Sequence, residues 1–420
     1  MTSEAPDLAY VWVWLPGAKE PVVAGRLDAE GGAVSFVYGR SYLARDDAIP
    51  LYVPELPLRP GRIAPPPYLE APGCILDARP DAWGQRVIMS RLLGAGAAHA
   101  DAADLGLLTY LLESDSDRVG ALDFQASAEH YVPRGVESAT VEELMTAAER
   151  VEDGTPLTAP LAQALLRGTA IGGARPKALL DDGGSRRLIS KFSSTTDTFP
   201  VVQAEFVAMK LALRVGLDVA PVRLETVLGK FVLLVDRFDR TPTAGTRRAL
   251  VSALTLLDLN ELGAGWASYA ELAQVIRGRF TRPAATLREL FARITFNVLV
   301  GNTDDHARNH AAFWDGHMLT LTPAYDICPQ LRSGGEVTQA MIIGDDSDSF
   351  RLSQIAGCVA RAHLYQLGER EAREIVDRQL DVIRTHWDAV CDEAQLTAAE
   401  RSRMWGRQFL NPFALEGYPP

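Results

Sequence analysis

An apolar run with helical spacing covers residues 290–300 and ends just before the most densely polar stretch of the chain, residues 302–309. That stretch reads NTDDHARN, and it is followed by AAFWDGHMLTL, in which two apolar runs flank an Asp-Gly pair. Such a pattern is typical of a β-hairpin. The sequence therefore predicts a helix, a polar loop and a hairpin in direct succession, with the sequence PAYD after the hairpin at residues 323–326.

The polar groups of this segment have the chemistry that phosphoryl transfer requires. Asp304 and Asn309 lie five positions apart, and a second carboxylate, Asp326, follows the hairpin. In such a site one Asp orients the attacking hydroxyl and accepts its proton, while an Asn and a second Asp hold Mg²⁺ against the phosphates. The interval between Asp304 and Asn309 equals that of the protein-kinase catalytic loop. The residues alone leave a second interpretation open, a solvated loop in which Asp and Asn act as turn formers.

Two upstream residues fit the same chemistry. Lys191 follows an apolar pair and so ends or interrupts a strand, and Glu205 lies fourteen residues further on in a helical pattern. Kinase-like folds use a strand lysine on the phosphates, oriented by a helix carboxylate. Lys–Glu pairs are also common on solvated surfaces, so this pair is compatible with either interpretation.

Two further segments are candidates for nucleotide contacts. Residues 172–177, GGARPK, contain consecutive backbone N–H groups that could cradle phosphates, although a tight glycine turn between strands is the alternative. An apolar run at residues 232–235 leads into residues 236–238, where the edge of an adenine pocket could form. Just beyond it, Asp239 and Arg240 are expected to form surface ion pairs at the end of the strand.

Length and charge limit the class of protein. A chain of 420 residues is too long for one ordinary domain. Its net charge of −12 makes it a poor general binder of nucleic acid or anionic membranes. No apolar run reaches the roughly 18 residues of a membrane span, and the start shows no leader pattern. The four cysteines form no CxxC pair, so we expect a reducing, cytoplasmic location and no membrane partner.

Local patterns divide the chain into three parts. Alternating Tyr10, Trp12 and Trp14 predict a strand whose rings pack in a core, within a β-rich N-terminal part at residues 1–130. A mixed α/β part follows at residues 131–250, where the pair Thr140 and Glu143 predicts the capped start of a helix. Residues 251–420 are predicted to be mostly helical.

Taken together, the segments GGARPK, ISKF, VDRFDR, GNTDDHARN and LTPAYDI resemble the HipA family of bacterial toxin kinases, in order over roughly residues 5–415. The resemblance implies an α+β, two-lobed protein-kinase-like fold with an additional β-containing N-terminal subdomain and a mostly helical C-terminal lobe. It also implies a protein serine/threonine kinase that depends on ATP and Mg²⁺ and arrests growth as the toxin of a toxin–antitoxin pair.

Carried over residue by residue, the resemblance makes Asp304 the catalytic Asp with His306 beside it, and makes Asn309 and Asp326 the Mg²⁺ ligands. The residues expected to bind ATP are Gly172, Gly173, Ala174, Arg175, Pro176, Lys177, Lys191, Glu205, Asp236, Arg237, Phe238 and Tyr325.

The resemblance also implies partners. These are a small helix-turn-helix antitoxin, through which any DNA contact is mainly indirect, and a protein substrate, with aminoacyl-tRNA synthetases among the family's varied targets. One departure is Ala170, which stands where the family usually carries a serine whose self-phosphorylation switches the kinase off; Thr169 precedes it. Two other functions stay open: a kinase-shaped, antitoxin-binding corepressor with little catalysis, and a small-molecule kinase.

Overall fold

The structure is a computed structural model, and it describes residues 6–94, 101, 105–135, 140–153, 155, 165, 177–181, 187–193, 197–241, 245–332, 334–345 and 347–418. Its strands are β1 (Leu8–Val13), β2 (Val22–Glu30), β3 (Ala33–Tyr38), β4 (Arg62–Ile63), β5 (Leu122–Gln125), β6 (Lys177–Asp181), β7 (Arg187–Phe192), β8 (Val222–Val227), β9 (Lys230–Asp236), β10 (Ala249–Ser252), β11 (Ala311–Trp314) and β12 (Leu319–Leu321). Its α-helices are α1 (Arg40–Leu43), α2 (Gly73–Leu76), α3 (Ala82–Leu93), α4 (Leu107–Glu113), α5 (Val141–Glu152), α6 (Val201–Val215), α7 (Ala253–Leu256), α8 (Tyr269–Arg279), α9 (Pro283–Val300), α10 (Ile355–Ala360), α11 (Glu369–Glu393), α12 (Ala398–Met404) and α13 (Pro412–Leu415).

The chain forms two compact units. Unit 1 comprises Met1–Asp197, Glu225–Val251 and Phe313–His317, and unit 2 comprises Thr198–Leu224, Ser252–Ala312 and Met318–Pro420. One passage between the units falls at residues 251–252, beside the predicted boundary between residues 250 and 251. The three predicted ranges remain predictions.

Unit 1 begins with a five-stranded antiparallel sheet in the order β4-β3-β2-β1-β5. A bulge between Val11 and Trp12 shifts the register of β1 against β2. The rings of Trp12 and Trp14 each lie 5.5 Å from the ring of Tyr131, and both tryptophans are buried. The predicted strand with rings packed in a core is therefore confirmed.

A second sheet has the order β6-β7-β9-β8, and helices α3 and α5 pack on it. Helix α5 begins with the predicted capping box, in which Glu143 N donates to Thr140 Oγ1 at 3.2 Å and Thr140 N donates to Glu143 Oε2 at 2.9 Å. The apolar core between helices and sheet consists of Trp83, Val87, Leu144, Met145, Ala147, Ala148, Leu165, Ala178, Leu180, Leu188, Phe192, Val232 and Leu234. Because side chains alternate along β7, Lys191 lies on the opposite face from this core and is half-buried.

Unit 2 is mostly helical, and its central element is α9. Pro283 occupies the first turn of this helix, where the missing N–H costs no hydrogen bond. Gln379 of α11 accepts a hydrogen bond from the Thr295 hydroxyl at 3.0 Å and donates one to Ala292 O at 2.7 Å. These bonds fasten α11 to α9 through groups that are buried. Strands β11 and β12 are neighbours in a further short sheet.

No helix in the part of the chain that the structure describes is both long and apolar enough to cross a bilayer.

The end of α9 requires a glycine. Gly301 has a φ of +70°, in the left-handed region that favours glycine. A Cβ atom at this position would lie 2.5 Å from the carbonyl oxygen of Gln408. Beside it, Leu410 N donates to Leu299 O at 2.8 Å, so the chain near Gln408 is hydrogen-bonded to the helix end and cannot move away without losing that bond.

We expect Gly301→Ala to lower the free energy of unfolding by more than about 1 kcal/mol, because it adds backbone strain and a backbone clash. The matched control is Gly278→Ala, on the exposed side of α8, where an added Cβ meets no described heavy atom within 4 Å. That control should raise stability by roughly 0.5–1 kcal/mol. Urea unfolding measures both, and equal effects of the two substitutions would contradict the assignment.

Candidate active site

The polar loop starts where α9 ends. Asn302 N donates to Asn297 O at 2.9 Å, and the chain then turns into the short 3-10 helix Ala307–Asn309. Strands β11 and β12 follow as neighbours in one sheet. The predicted succession of helix, polar loop and hairpin is confirmed.

Asp304 and Asn309 lie close together within this loop. Asn309 is buried, and its Nδ2 donates to the carbonyl oxygen of Asp304 at 3.2 Å. Asp304 as a whole is exposed, whereas its carboxyl group is partly surrounded by protein atoms. This partial burial raises the pKa of the Asp304 carboxyl; Asp326 and Asp305 act in the same direction, and His306 opposes them. The carboxylates of Asp304 and Asp326 are therefore close enough to influence each other's charge.

The segment that carries Asp326 is tied to the loop by its neighbour. The hydroxyl of Tyr325 donates to the carbonyl oxygen of Arg308 at 2.7 Å. Before it, Ala324 N donates to Asp218 O at 2.7 Å. Asp326 itself has a φ of +59°, a left-handed conformation that is uncommon for a residue with a side chain and is concentrated at functional sites.

His306 lies between Asp304 and Asn309 in the loop. It is half-buried, and its Nδ1 is buried without a hydrogen-bond partner among the described residues. Its predicted role beside Asp304 stays a prediction. The neighbouring Arg308 forms an ion pair with Glu261, which fastens the 3-10 helix to the segment after α7.

Asp305, which the sequence analysis did not assign to the site, carries the densest hydrogen bonding of the loop. It accepts from Asn297 Nδ2 at 2.7 Å, from the Tyr269 hydroxyl and from His310 Nε2 at 3.0 Å. Burial alone would raise the pKa of Asp305, but His310 and these hydrogen bonds outweigh it and hold the pKa below its usual value. Burial, together with Asp305, raises the pKa of Tyr269 well above its usual value, so the hydroxyl stays protonated as a donor.

The sequence held one signal for this network. Asn297 is a carboxamide within the largely apolar run before the loop, and a buried polar side chain of this kind needs a partner. Nothing in the local pattern indicated that the partner would be the residue after Asp304.

Two predicted nucleotide-binding lysines lie in unit 1, directly opposite each other in neighbouring strands. Lys191 of β7 pairs in register with Lys177 of β6. Lys177 is buried, and its Nζ lies 2.7 Å from Asp81 Oδ2. Asp81 also caps α3 by accepting from Gly84 N at 2.7 Å, so the Lys177 amine joins the first strand of this sheet to that helix. Their predicted contacts with ATP stay predictions, as does that of Glu205, which is buried in α6 of unit 2.

Apart from Lys177, the predicted phosphate loop falls outside the described residues, as does the position of the missing serine. These residues are Thr169, Ala170, Gly172, Gly173, Ala174, Arg175 and Pro176.

The pair Asp239 and Arg240 was predicted to lie on the surface, and this is wrong. Asp239 is buried, and Arg237 donates to both of its oxygens, at 3.0 and 2.8 Å. Arg240 donates to the same carboxylate at 2.8 Å and to Asp117 at 2.6 Å. Gly120 N adds a further bond to Asp239 at 2.8 Å. The ion pairs are present as expected, but their charges are withdrawn from solvent, because Asp117 and Gly120, from a segment distant in the sequence, bond to Arg240 and Asp239.

This cluster gives the side chain of Arg237 a structural role. Its guanidinium is 1% exposed and also lies 3.1 Å from Asp117. Burial raises the pKa of Asp239, but Arg237 and Arg240 outweigh it and lower that pKa to about 2. Beside the cluster, the half-buried Phe238 makes an edge-on contact with Phe313, with ring centres 5.8 Å apart. The predicted adenine contacts of Asp236, Arg237 and Phe238 stay predictions.

Comparison with known proteins begins with the fold. A chain of the solved complex of the Shewanella oneidensis MR-1 toxin–antitoxin system, which contains HipA, HipB and operator DNA, aligns with a TM-score of 0.68 at 19% sequence identity. The alignment covers 96% of this chain and 99% of that chain. It confirms the predicted α+β, protein-kinase-like fold class.

Sequence similarity then identifies the family. A family model described as the HipA-like C-terminal domain matches residues 169–387, just over half of the chain. The chain therefore belongs to the HipA-like family, as its motifs predicted.

Individual relatives match over shorter stretches. The putative kinase Y4mE of Sinorhizobium fredii is 29% identical over 146 residues, covering 33% of this chain and 33% of that protein. The serine/threonine-protein kinase toxin HipA of Shewanella oneidensis is 28% identical over 166 residues, covering 34% of this chain and 38% of that protein. The chain thus spans about a third of the length of these curated relatives.

We expect Arg237→Ala to lower the free energy of unfolding by roughly 3–5 kcal/mol, because it removes a counter-charge from the buried carboxylate of Asp239 and from the half-buried one of Asp117. The control is Arg59→Ala, an exposed position of unit 1, which should change stability by less than about 0.5 kcal/mol. Both are measured by urea unfolding. A loss below about 1 kcal/mol for Arg237→Ala would show that the cluster does not hold the charges as described.

Proposed function

We propose that the chain is a protein serine/threonine kinase that uses ATP and Mg²⁺ and acts as the toxin of a toxin–antitoxin pair. The observation that carries the proposal is the convergence of Asp304, Asn309 and Asp326 within unit 2: Asn309 donates to the carbonyl oxygen of Asp304, and Tyr325, next to Asp326, donates to that of Arg308. Homologues that are named as kinases support the same assignment.

In this proposal Asp304 orients the hydroxyl of the protein substrate and accepts its proton. The half-buried His306 lies beside Asp304 and is proposed to keep a hydrogen-bonding group near the reacting hydroxyl.

The donor set fits Mg²⁺. Asn309 uses its Nδ2 for the bond to Asp304 O, so its Oδ1 is the atom proposed as ligand, together with the Asp326 carboxylate. No group of three or more His, Cys, Asp or Glu suited to a metal occurs among the described residues. The pair of Asn309 Oδ1 and the Asp326 carboxylate suits Mg²⁺, which takes one or two protein oxygens and completes its coordination shell with phosphates and water. When bound, the ion would neutralise charge on the phosphates.

The nucleotide is proposed to bind through the residues of the family pattern. Lys191 is proposed to contact the phosphates. Glu205 is proposed as a further ATP-binding residue, as is Tyr325, which is next to the proposed Mg²⁺ ligand Asp326. The remaining proposed contacts are Gly172, Gly173, Ala174, Arg175, Pro176, Lys177, Asp236, Arg237 and Phe238.

A helix-turn-helix antitoxin is the proposed partner, and a cellular protein such as an aminoacyl-tRNA synthetase is the proposed substrate. The related HipA of Shewanella oneidensis was solved with HipB and operator DNA. The net charge of −12 makes direct neutralisation of DNA phosphates unfavourable, so DNA contact would run mainly through the antitoxin. The same complex favours a second function, a corepressor with little catalysis. Both functions place the protein in the cytoplasm.

The kinase proposal is tested by incubating the protein with γ-labelled ATP and Mg²⁺ in a lysate depleted of small molecules. Asp304→Asn should lower label transfer to a discrete protein band on the order of 100-fold or more, because it removes the proton acceptor. Asp326→Asn should do the same by removing a metal ligand. Asp388→Asn, at an exposed position of α11, is the control and should transfer label like the wild type.

Wild-type transfer by Asp304→Asn would contradict the mechanism. ATP binding without any Asp304-dependent band, with retained antitoxin binding, would favour the corepressor. Label transfer that requires added metabolites would instead identify a small-molecule kinase.

A further inference from the structure

The carboxylate of Asp305 has no chemical role in the proposed reaction, yet it is buried in unit 2. It is 3% exposed and accepts hydrogen bonds from Asn297, Tyr269 and His310. Burying a charge is costly unless it is paired and hydrogen-bonded. The three donors that meet at Asp305 satisfy this requirement, although Asp305 is not the residue expected to react.

The three donors come from three different elements. Asn297 lies in the last turns of α9, Tyr269 is the first residue of α8, and His310 immediately precedes β11. The ring of Tyr269 also makes an edge-on contact with the ring of His310, with centres 5.5 Å apart. Asp305 therefore joins three elements of unit 2 at one point.

The same network reaches the beginning of the loop. Asn302 Nδ2 donates to Asn297 Oδ1 at 3.0 Å, so Asn297 bridges Asn302 and Asp305. Asn297 donates from its amide nitrogen in one of these bonds and accepts at its amide oxygen in the other, which fixes the orientation of the amide. The loop is thus held on both sides of residue 304, by Asn302 before it and by Asp305 after it.

Asp304 is covalently bound to Asp305, so their Cα atoms are about 3.8 Å apart. A shift of the Asp305 backbone would carry Asp304 with it and would also move the carbonyl oxygen that accepts from Asn309. Hydrogen bonds to a buried charge are stronger than neutral ones, so such a shift is opposed by the whole network. A displacement of about 1 Å at a reacting group can cost about 100-fold in rate.

From this geometry, and resting on the proposed kinase function, we infer that Asp305 is a positioning residue: its buried carboxylate, held by Asn297, Tyr269 and His310, fixes the backbone of the loop so that Asp304 stays aimed at the acceptor hydroxyl. A role in positioning predicts a loss of turnover without a loss of ATP affinity. If Asp305 served only stability, its removal would not lower turnover selectively while leaving the ATP affinity unchanged.

The test measures label transfer from γ-labelled Mg-ATP to the proteins of the depleted lysate, at saturating ATP and as a function of ATP concentration. Asp305→Ala should lower kcat on the order of 100-fold and leave the KM for ATP unchanged. Gln379→Leu is the matched control, since it removes buried hydrogen bonds between α9 and α11 without touching the loop. It should lower stability and leave kcat unchanged.

A reciprocal exchange tests the pairing itself. Asn297→Asp alone sets two carboxylates against each other and should lower kcat. Adding Asp305→Asn restores one carboxylate and one carboxamide at the same contact and should recover kcat to within about tenfold of the wild type. Absence of any recovery would contradict a positional role for this contact.

Hydrogen–deuterium exchange of the amides at residues 302–310 gives a readout that does not need enzymatic activity. Asp305→Ala should accelerate their exchange, while Gln379→Leu should not. Unchanged exchange in Asp305→Ala overturns the inference even if the protein proves not to be a kinase. If Asp304→Asn is inactive but Asp305→Ala keeps the wild-type kcat, the positioning role of Asp305 is overturned while the kinase function stands. The same holds if Gln379→Leu loses as much kcat as Asp305→Ala. Wild-type transfer by Asp304→Asn, with faster loop exchange in Asp305→Ala, overturns the kinase mechanism alone.

Discussion

The architecture of unit 2 depends on the way α9 is held at its middle and at its end. At the middle, buried Arg293 donates to the carbonyl oxygens of Asp218 and Thr322, at 3.1 and 2.9 Å. Thr322 lies four residues before Asp326. At the end, Gly301 packs its backbone against Gln408 and directs the chain into the polar loop. The segments that carry Asp304 and Asp326 are thus both attached to α9, so this helix helps to fix the separation of the two carboxylates.

Buried charge is used in the same way in both units. In unit 1, Arg237 and Arg240 enclose the carboxylate of Asp239, and in unit 2 three donors enclose that of Asp305. Removing one partner from such a group is costly because the remaining charge stays out of water. A polar segment with few apolar side chains can therefore still be held in a single conformation. This property suits a site that must present charged groups to a ligand without losing its shape.

Local patterns predicted much of the structure correctly. Helix α5 begins at the capping box of Thr140 and Glu143. Trp12 of strand β1 and Trp14 just beyond it pack their rings in a core, and the polar loop lies between a helix and a hairpin. These features depend on residues within a few positions of one another. The burial of Asp239 could not be predicted in this way, since its partner Gly120 is 119 positions distant in the sequence.

The sequence by itself determined the family, the fold class and the candidate chemistry, because these depend on residue types at short, fixed intervals such as that between Asp304 and Asn309. The tertiary structure alone decided which charges are buried and what surrounds them. It turned Asp305 inward, beside an outward Asp304, because donors from three separate elements meet at that point. A carboxylate has the same local preferences in either position, and only the set of partners assembled by folding decides whether its charge faces solvent or is enclosed.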